Sequence, residues 1–191
     1  MSDISKAVRD KLFAKGYFLV TDVTHENIRT LMNFIVENRP QKNEFTIVIS
    51  SSGGSSSAVI YFASFLSTLS ADVKLKGVAF GECGSAALAL LQCCHERVGV
   101  KHCGFFIHHI KSKFQYTAYS NGSKRFRADL KRVRLLEEEL VALQCARSGI
   151  SRKIWMKLAD AGEADPGSEI LPKKALKLGL IDRIEDHCPI F

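Results

Sequence analysis

The sequence predicts an α/β layered domain with largely parallel strands, and three observations carry that prediction. Short apolar runs of strand length alternate with longer stretches at helical spacing. Two of the short runs, Phe45-Thr46-Ile47-Val48-Ile49 and Val78-Ala79-Phe80, each end in a loop of small residues and then enter an apolar stretch of helix length. Strand, loop and helix in that rhythm are the units of a parallel sheet with crossover helices. The 191 residues contain no internal repeat and no low-complexity linker, so they fit one domain large enough to bury a core.

Residues 3–15 read as a short amphipathic helix with Val8, Leu12 and Phe13 on one side, ending at Gly16. Tyr17 to Val20 is strand-like. Thr24 can N-cap a helix whose inner face carries Ile28, Leu31, Met32 and Ile35, closed by Pro40. After the strand from Phe45 to Ile49 comes the Ser/Gly loop, then a helix from about Ser56 to Leu69. It is apolar nearly all round, which predicts burial on most sides. A strand from Val73 to Phe80 leads into a junction at Ser85 and a helix to about Cys94. Arg97 to Val100 and Gly104 to Ile107 are further strands. Residues 111–123 read as irregular, with Asn121-Gly122 as a turn. A long charged helix follows from about Lys124 to Arg147. Ser151 N-caps a helix that stops at Gly162, and Asp165-Pro166-Gly167 is a turn. Pro172 opens a short helix ending at Gly179, and Leu180-Ile181 forms a last strand.

Composition narrows the function classes. The two most apolar runs, Ala58 to Leu69 and Ala86 to Cys94, fall short of the roughly 18 residues of a membrane span. The start of the chain lacks the basic-then-apolar layout of a secretory signal, so a cytoplasmic location is expected. Cysteines 83, 93, 94, 103, 145 and 188 lie mostly in core-like segments, as reduced thiols do. The cluster Cys93-Cys94-His95 with His102-Cys103 lacks the paired-knuckle spacing of structural zinc, so no metal is expected. The net charge of +7 is concentrated between Lys111 and Arg134, with Asp129 the single acid there. Apolar Phe126, Leu130, Val133, Leu136, Leu140 and Leu143 recur at helical spacing, so that segment reads as a solvated helix face. Aromatics are not interleaved with its charges, and nucleic-acid binding is not expected.

Two segments carry chemistry. In Ser51-Ser52-Gly53-Gly54-Ser55, a glycine pair just past a strand lets backbone N–H groups converge without Cβ obstruction, as an oxyanion site requires. In Gly81-Glu82-Cys83-Gly84-Ser85-Ala86-Ala87, a serine stands at a strand-to-helix junction, where the helix N-terminus favours its ionised form. A serine there ordinarily serves as an N-cap. What changes its reading is the company it keeps. Both loops would open at the C-terminal edge of a parallel sheet, and His108 ends the apolar strand Gly104-Phe105-Phe106-Ile107 at the same rim.

These segments resemble the Clp protease proteolytic subunit. Ile49-Ser50-Ser51-Ser52-Gly53-Gly54-Ser55 is similar to the family's Ile-Asn-Ser-Pro-Gly-Gly-Ser, and Gly81 to Leu88 to its Gly-Gln-Ala-Ala-Ser-Met-Gly-Ala nucleophile turn. Phe106-Ile107-His108-His109 resembles its Met-Ile-His-Gln, and Ala175 to Asp182 its closing Ala-x-x-x-Gly-Leu-Val-Asp. The resemblance runs in order from about Tyr17 to Ile184. It implies a crotonase-like spiral of ββα units, in a single domain spanning 1–191. Residues 1–16 would be an N-terminal helical extension and 111–123 a variant of the family's handle region. Ser85 would be the nucleophile and His108 the general base, with Gly54 and Ala86 supplying oxyanion N–H groups. Gly53 and Ser55 would line the strand-like path of a peptide or unfolded-protein substrate. The resemblance implies no cofactor, and it implies a homo-oligomer, a ring in the family, with an AAA+ unfoldase as partner.

The chain departs from the family in two places. Counting back from Gly179 without gaps, the triad aspartate falls on Gly167, and Asp165 is the neighbouring candidate. The segment after His109 is longer and more basic than the family's glycine-rich handle, which argues against a double ring and offers Tyr116 and Tyr119 for a different subunit contact. Three other readings remain on the sequence. One is a Ser–Lys dyad with Lys124 or Lys131 as base; another is a catalytically idle scaffold, which Gly167 favours; the last is an acyl-CoA-binding crotonase-like protein.

Overall fold

The computed structural model describes residues 6–111, 124–165 and 168–190, with side chains from residue 10 onward. The expectations for Tyr116, Tyr119, Asn121-Gly122 and Gly167 fall outside these residues. The elements follow in the order α1 (Lys6–Ala14), β1 (Tyr17–Val20), α2 (His25–Asn38), β2 (Glu44–Ser51), α3 (Ser56–Leu66), β3 (Lys74–Gly84), α4 (Ser85–Gln92), β4 (Glu96–Val100), β5 (Gly104–Phe106), α5 (Lys124–Ser148), α6 (Arg152–Ala164), α7 (Pro172–Lys177) and β6 (Arg183–Glu185). Three of the helices start where a side-chain oxygen takes an orphan N–H. Thr24 accepts from Asn27, Ser55 from Ala58, and Ser151 from Ile154.

The sheet is a parallel one, ordered β1-β2-β3-β4-β6, with β5 also paired to β3. The long β3 has two sets of neighbours. Lys76 to Ala79 pair with β4, whereas Glu82 to Gly84 pair with Gly104 to Phe106 of β5. On its other side, the β2 register shifts between Ile49 and Ser51, so that Ser51 meets Cys83. One antiparallel bridge joins Phe105 to Ile170.

Alternation along the strands sorts the core. Ile47, Ile49, Leu75 and Ala79 join a large cluster with Ile28, Leu31, Phe62 and Leu88 from the helices. Val48, Val78 and Val98 point to the opposite face, where Val100 and Cys188 complete a much smaller cluster. A buried guanidinium anchors the C-terminal segment. Arg97, 4% exposed, donates to Asp182 Oδ1 at 2.5 Å, to Gln92 Oε1 at 2.6 Å and to the Gly179 carbonyl at 2.7 Å.

Three sequence expectations are corrected. The last strand is Arg183–Glu185 rather than Leu180-Ile181, because Leu180 and Ile181 are pulled into the core and pairing with β4 begins after them. Helix α6 runs past Gly162 to Ala164. Gly162 is glycine for contact, since a Cβ there would lie 2.1 Å from the Ile107 carbonyl oxygen. Helix α3 ends at Leu66 rather than Leu69; it buries Ala58, Val59 and Phe62 and packs Ile60, Phe65 and Leu66 against the core, so only Ser57, Tyr61 and Ser64 form its exposed side.

Candidate active site

The nucleophile candidate stands where β3 becomes α4. Ser85 has φ +51°, a left-handed conformation that a non-glycine residue holds only when its surroundings enforce it. They do so here through burial. Every residue of α4 from Ala86 to Gln92 is buried, so the helix start is fixed by packing. The first turn of any helix leaves N–H groups without intrahelical partners, and Ala86 lies in that turn.

The Gly53-Gly54 loop sits directly against this junction. Both glycines have positive φ, +133° and +137°. A Cβ on Gly53 would lie 2.8 Å from the Ser85 Cβ and 3.3 Å from the Ala86 nitrogen; one on Gly54 would lie 2.3 Å from the Val23 oxygen. Contact on both sides is why neither position tolerates a side chain. The loop is pinned by Val23 N–H to Gly53 O (3.0 Å) and Ser55 N–H to Val23 O (2.7 Å). Those bridge bonds use the neighbours of Gly54, which leaves its own N–H on the side away from Val23. Buried Ser51 steadies the turn by accepting the Gly53 N–H at 3.1 Å. Ser55 is the N-cap of α3.

The histidine arrives by strand pairing. Gly84 is registered with Phe106, so the chain leaving β5 runs beside the residue that follows Gly84. Ser85, Phe106, Ile107 and His108 line one cleft, together with Ile110, Glu137, Leu140, Val141 and Trp155. It holds about 10 Å³ of space for water centres, room for one water. His108 Nδ1 lies 2.5 Å from the His109 carbonyl oxygen, which as an acceptor places the ring proton on Nδ1. Glu163 Oε1 is 3.7 Å from the same nitrogen, and its other oxygen is 3.7 Å from Lys111 Nζ. The next residue is held more firmly. His109 Nδ1 lies 3.0 Å from Glu137 Oε1 and Nε2 lies 2.9 Å from Asp160 Oδ1. Asp160, then Glu137, raise the His109 pKa above its ordinary value against the opposing effect of burial.

The structure therefore brings Ser85, His108, Gly53, Gly54 and Ala86 to one edge of the sheet. Asp165 caps α6, donating its N–H to the Ala161 carbonyl, and Glu163 brings a carboxylate into ion-pair range of His108. Glu163 carries no local mark in the sequence. Its signal, a carboxylate beside a glycine on a helix, becomes meaningful once Gly162 is seen pressed against Ile107. Neither Lys124 nor Lys131 lines the cleft. These thiols are poor ligands and nucleophiles, since burial pushes Cys103 and the half-buried Cys93 up to about 12 and raises buried Cys83 and Cys94 as well. His95 Nδ1 accepts the Leu75 N–H, and among the described residues no group of three His, Cys, Asp or Glu could hold a metal.

The family model for the Clp proteases matches residues 4–187, nearly the whole chain. The chain belongs to the Clp protease family. The mixed α/β architecture with its parallel sheet fits that assignment, and the family is one of peptidases, typically of serine type. No curated protein matches this Clp protease family member individually. Among its described residues no helix is long and apolar enough to cross a membrane.

Proposed function

We propose that the protein is a Clp-type serine endopeptidase. One observation carries the reading. A strained serine at a buried helix N-terminus faces a double-glycine loop and shares a cleft with a histidine whose proton is directed onto Nδ1. In that tautomer Nε2 is the basic nitrogen. It would take the Ser85 hydroxyl proton as Oγ attacks the scissile carbonyl carbon, then return that proton to the leaving amine. The oxygen that becomes negative would receive the N–H groups of Gly54 and Ala86. Water would attack the acyl-enzyme in turn, with His108 again as base, and release the carboxylate product.

Glu163 is our candidate for the carboxylate that balances charge on His108 across 3.7 Å, with Asp165 as the alternative should the turn after α6 rearrange. The substrate chain would lie along the Gly53–Ser55 loop and pair through its main chain, so recognition tolerates varied sequence. The fold we infer is the crotonase-like spiral. A homo-oligomer is the assembly, and an AAA+ unfoldase the partner, that a Clp peptidase would use. Six free cysteines fit a reducing compartment such as the cytoplasm.

The test is labelling with a serine-directed fluorophosphonate, located by mass spectrometry. We expect an adduct on Ser85 that falls by about 10⁴-fold or more in rate in His108→Ala. An idle scaffold is the second reading, favoured by the 3.7 Å gap between His108 and Glu163. Intact folding with no Ser85 adduct would establish it over the peptidase. Thermal stabilisation of that unlabelled protein by CoA thioesters would indicate the acyl-CoA alternative.

A further inference from the structure

The geometry points to His109 as the positioning residue of this site: its imidazolium, held between Glu137 and Asp160, anchors the carbonyl that keeps the His108 proton on Nδ1. This inference rests on the serine-peptidase reading above and assigns a role that neither Ser85 nor His108 fills.

In the Ser-His-Asp arrangement a carboxylate accepts the Nδ1–H and so selects the tautomer. Here the atom at hydrogen-bond distance is a peptide oxygen, 2.5 Å away, and the carboxylate of Glu163 stands off at 3.7 Å. A peptide oxygen performs that task only if the peptide itself cannot swing. The residue carrying it is tied at both ring nitrogens, at 3.0 Å to Glu137 on α5 and at 2.9 Å to Asp160 on α6. Glu137 also accepts the Ile110 N–H at 3.1 Å, so one carboxylate holds the backbone immediately after the carbonyl. The Trp155 ring packs edge-on against the His109 ring, 6.2 Å between centroids.

Two carboxylates on one imidazole require both ring nitrogens to be donors, which is the protonated form. The surrounding charges ask for the same thing. The groups facing His109 and its neighbour are Glu137 on α5, Asp160 and Glu163 on α6, Lys111 further along the chain, and His108 itself. Among the described residues three carboxylates face a single ammonium there, and an imidazolium at position 109 reduces the imbalance. The raised pKa of His109, caused first by Asp160 and then by Glu137, acts in the same direction. When His109 loses its proton as pH rises, one nitrogen becomes an acceptor opposite a carboxylate, that arm opens, and the carbonyl is freed. The site is thus disarmed from the alkaline side.

The experiment follows the rate of Ser85 labelling by fluorophosphonate with pH in wild type, His109→Gln, Glu137→Gln and Asp160→Asn. Wild type should show a falling alkaline limb. Glu137→Gln and Asp160→Asn should each move it acidward by about one pH unit, since each removes one charge that stabilises the imidazolium. His109→Gln, which does not titrate in this range, should abolish the limb and slow labelling by about tenfold. A limb that stays put in all three variants overturns the proposal, as a merely structural role would leave it in place. Nitrogen-15 spectra of the histidine rings in the intact protein give a readout independent of the reaction. His108 should be the Nδ1–H tautomer in wild type and a mixture in His109→Gln. An unchanged tautomer overturns the clamp even where labelling behaves as expected. If Ser85 never labels, the peptidase reading fails, while the ring spectra still decide the clamp. Should His109→Gln fail to fold, the two carboxamide variants, each keeping one arm, carry the same pH test.

Discussion

The two halves of the active site are built on opposite principles. The nucleophile half, formed by Ser85, α4 and the Gly53-Gly54 loop, is held by apolar burial and close backbone contact, with every residue from Ala86 to Gln92 buried. The base half is held by charged and partly exposed side chains: His108, Glu163, His109, Glu137, Asp160 and Lys111. Its main scaffold, α5, has no buried residue before Leu140. The difference teaches that this site places its oxyanion donors permanently and its base conditionally. Packing does not respond to pH; ion pairs do.

The largest effect should come from breaking the packed half. In Gly53→Ala the new methyl would sit 2.8 Å from the Ser85 Cβ at a φ of +133°. Strain and overpacking together should cost about 3 kcal/mol of stability, read by denaturant unfolding. Displacement of the loop should slow Ser85 labelling by about 10²–10³-fold, the usual effect of losing an oxyanion donor. Gly149→Ala is the control. Its φ is also positive, +78°, but a Cβ there meets nothing within 4 Å, so it should lose only about 1 kcal/mol and label normally. Equal labelling of Gly53→Ala and wild type would mean that the loop does not supply the donors.

The packed half was legible in the sequence, and the polar half was not, for a physical reason. Ser85, Gly53 and Gly54 announce themselves locally, because a junction that needs positive φ or contact without a Cβ restricts the residue on the spot. Strand order follows from alternating apolar runs and parallel crossovers. Glu163, Glu137 and Asp160 carry no local mark. They lie on helix surfaces where any charged residue is acceptable, and they meet the histidines through contacts 28 to 55 positions apart in the chain. The end of α6 was misread for a related reason. Gly162 looks like a helix stop in one dimension, yet it is required by the Ile107 carbonyl in three. Leu180-Ile181 read as a strand because its residues are apolar, whereas its burial comes from packing into the core beside the Arg97 anchor.

A smaller effect separates the two candidate carboxylates of the base half. Glu163→Gln should slow Ser85 labelling by about tenfold, far less than the roughly 10⁴-fold loss when a triad aspartate becomes an amide. The reason is the His109 carbonyl, which already holds the tautomer and leaves Glu163 to supply only charge across 3.7 Å. Asp165→Asn should slow it less than Glu163→Gln does. The reverse ranking would give the orienting role to Asp165 and require the turn after α6 to move when substrate binds.

The smallest effect tests whether the pH response belongs to the active site alone. Asp182 is a carboxylate that depends on a cation, and its sign is opposite to that of His109. Burial alone would raise its pKa, but the side-chain and backbone hydrogen bonds from Arg97, with the charges of Arg97 and Arg147, outweigh burial and lower it. A carboxyl held below its unfolded value of ~3.9 stabilises the fold above that pH and ceases to do so as pH falls through the lower, folded value. The stabilisation is therefore lost on acidification, whereas the His109 clamp opens as pH rises. Because the Asp182 side chain is 39% exposed, its contribution is on the order of 1 kcal/mol or less after solvent screening. Thermal unfolding measured from neutral to acid pH should show the midpoint of Asp182→Asn falling less steeply than that of wild type, with the alkaline limb of Ser85 labelling unchanged. Parallel acid slopes for the two proteins would show that the Arg97 anchor works through shape rather than charge.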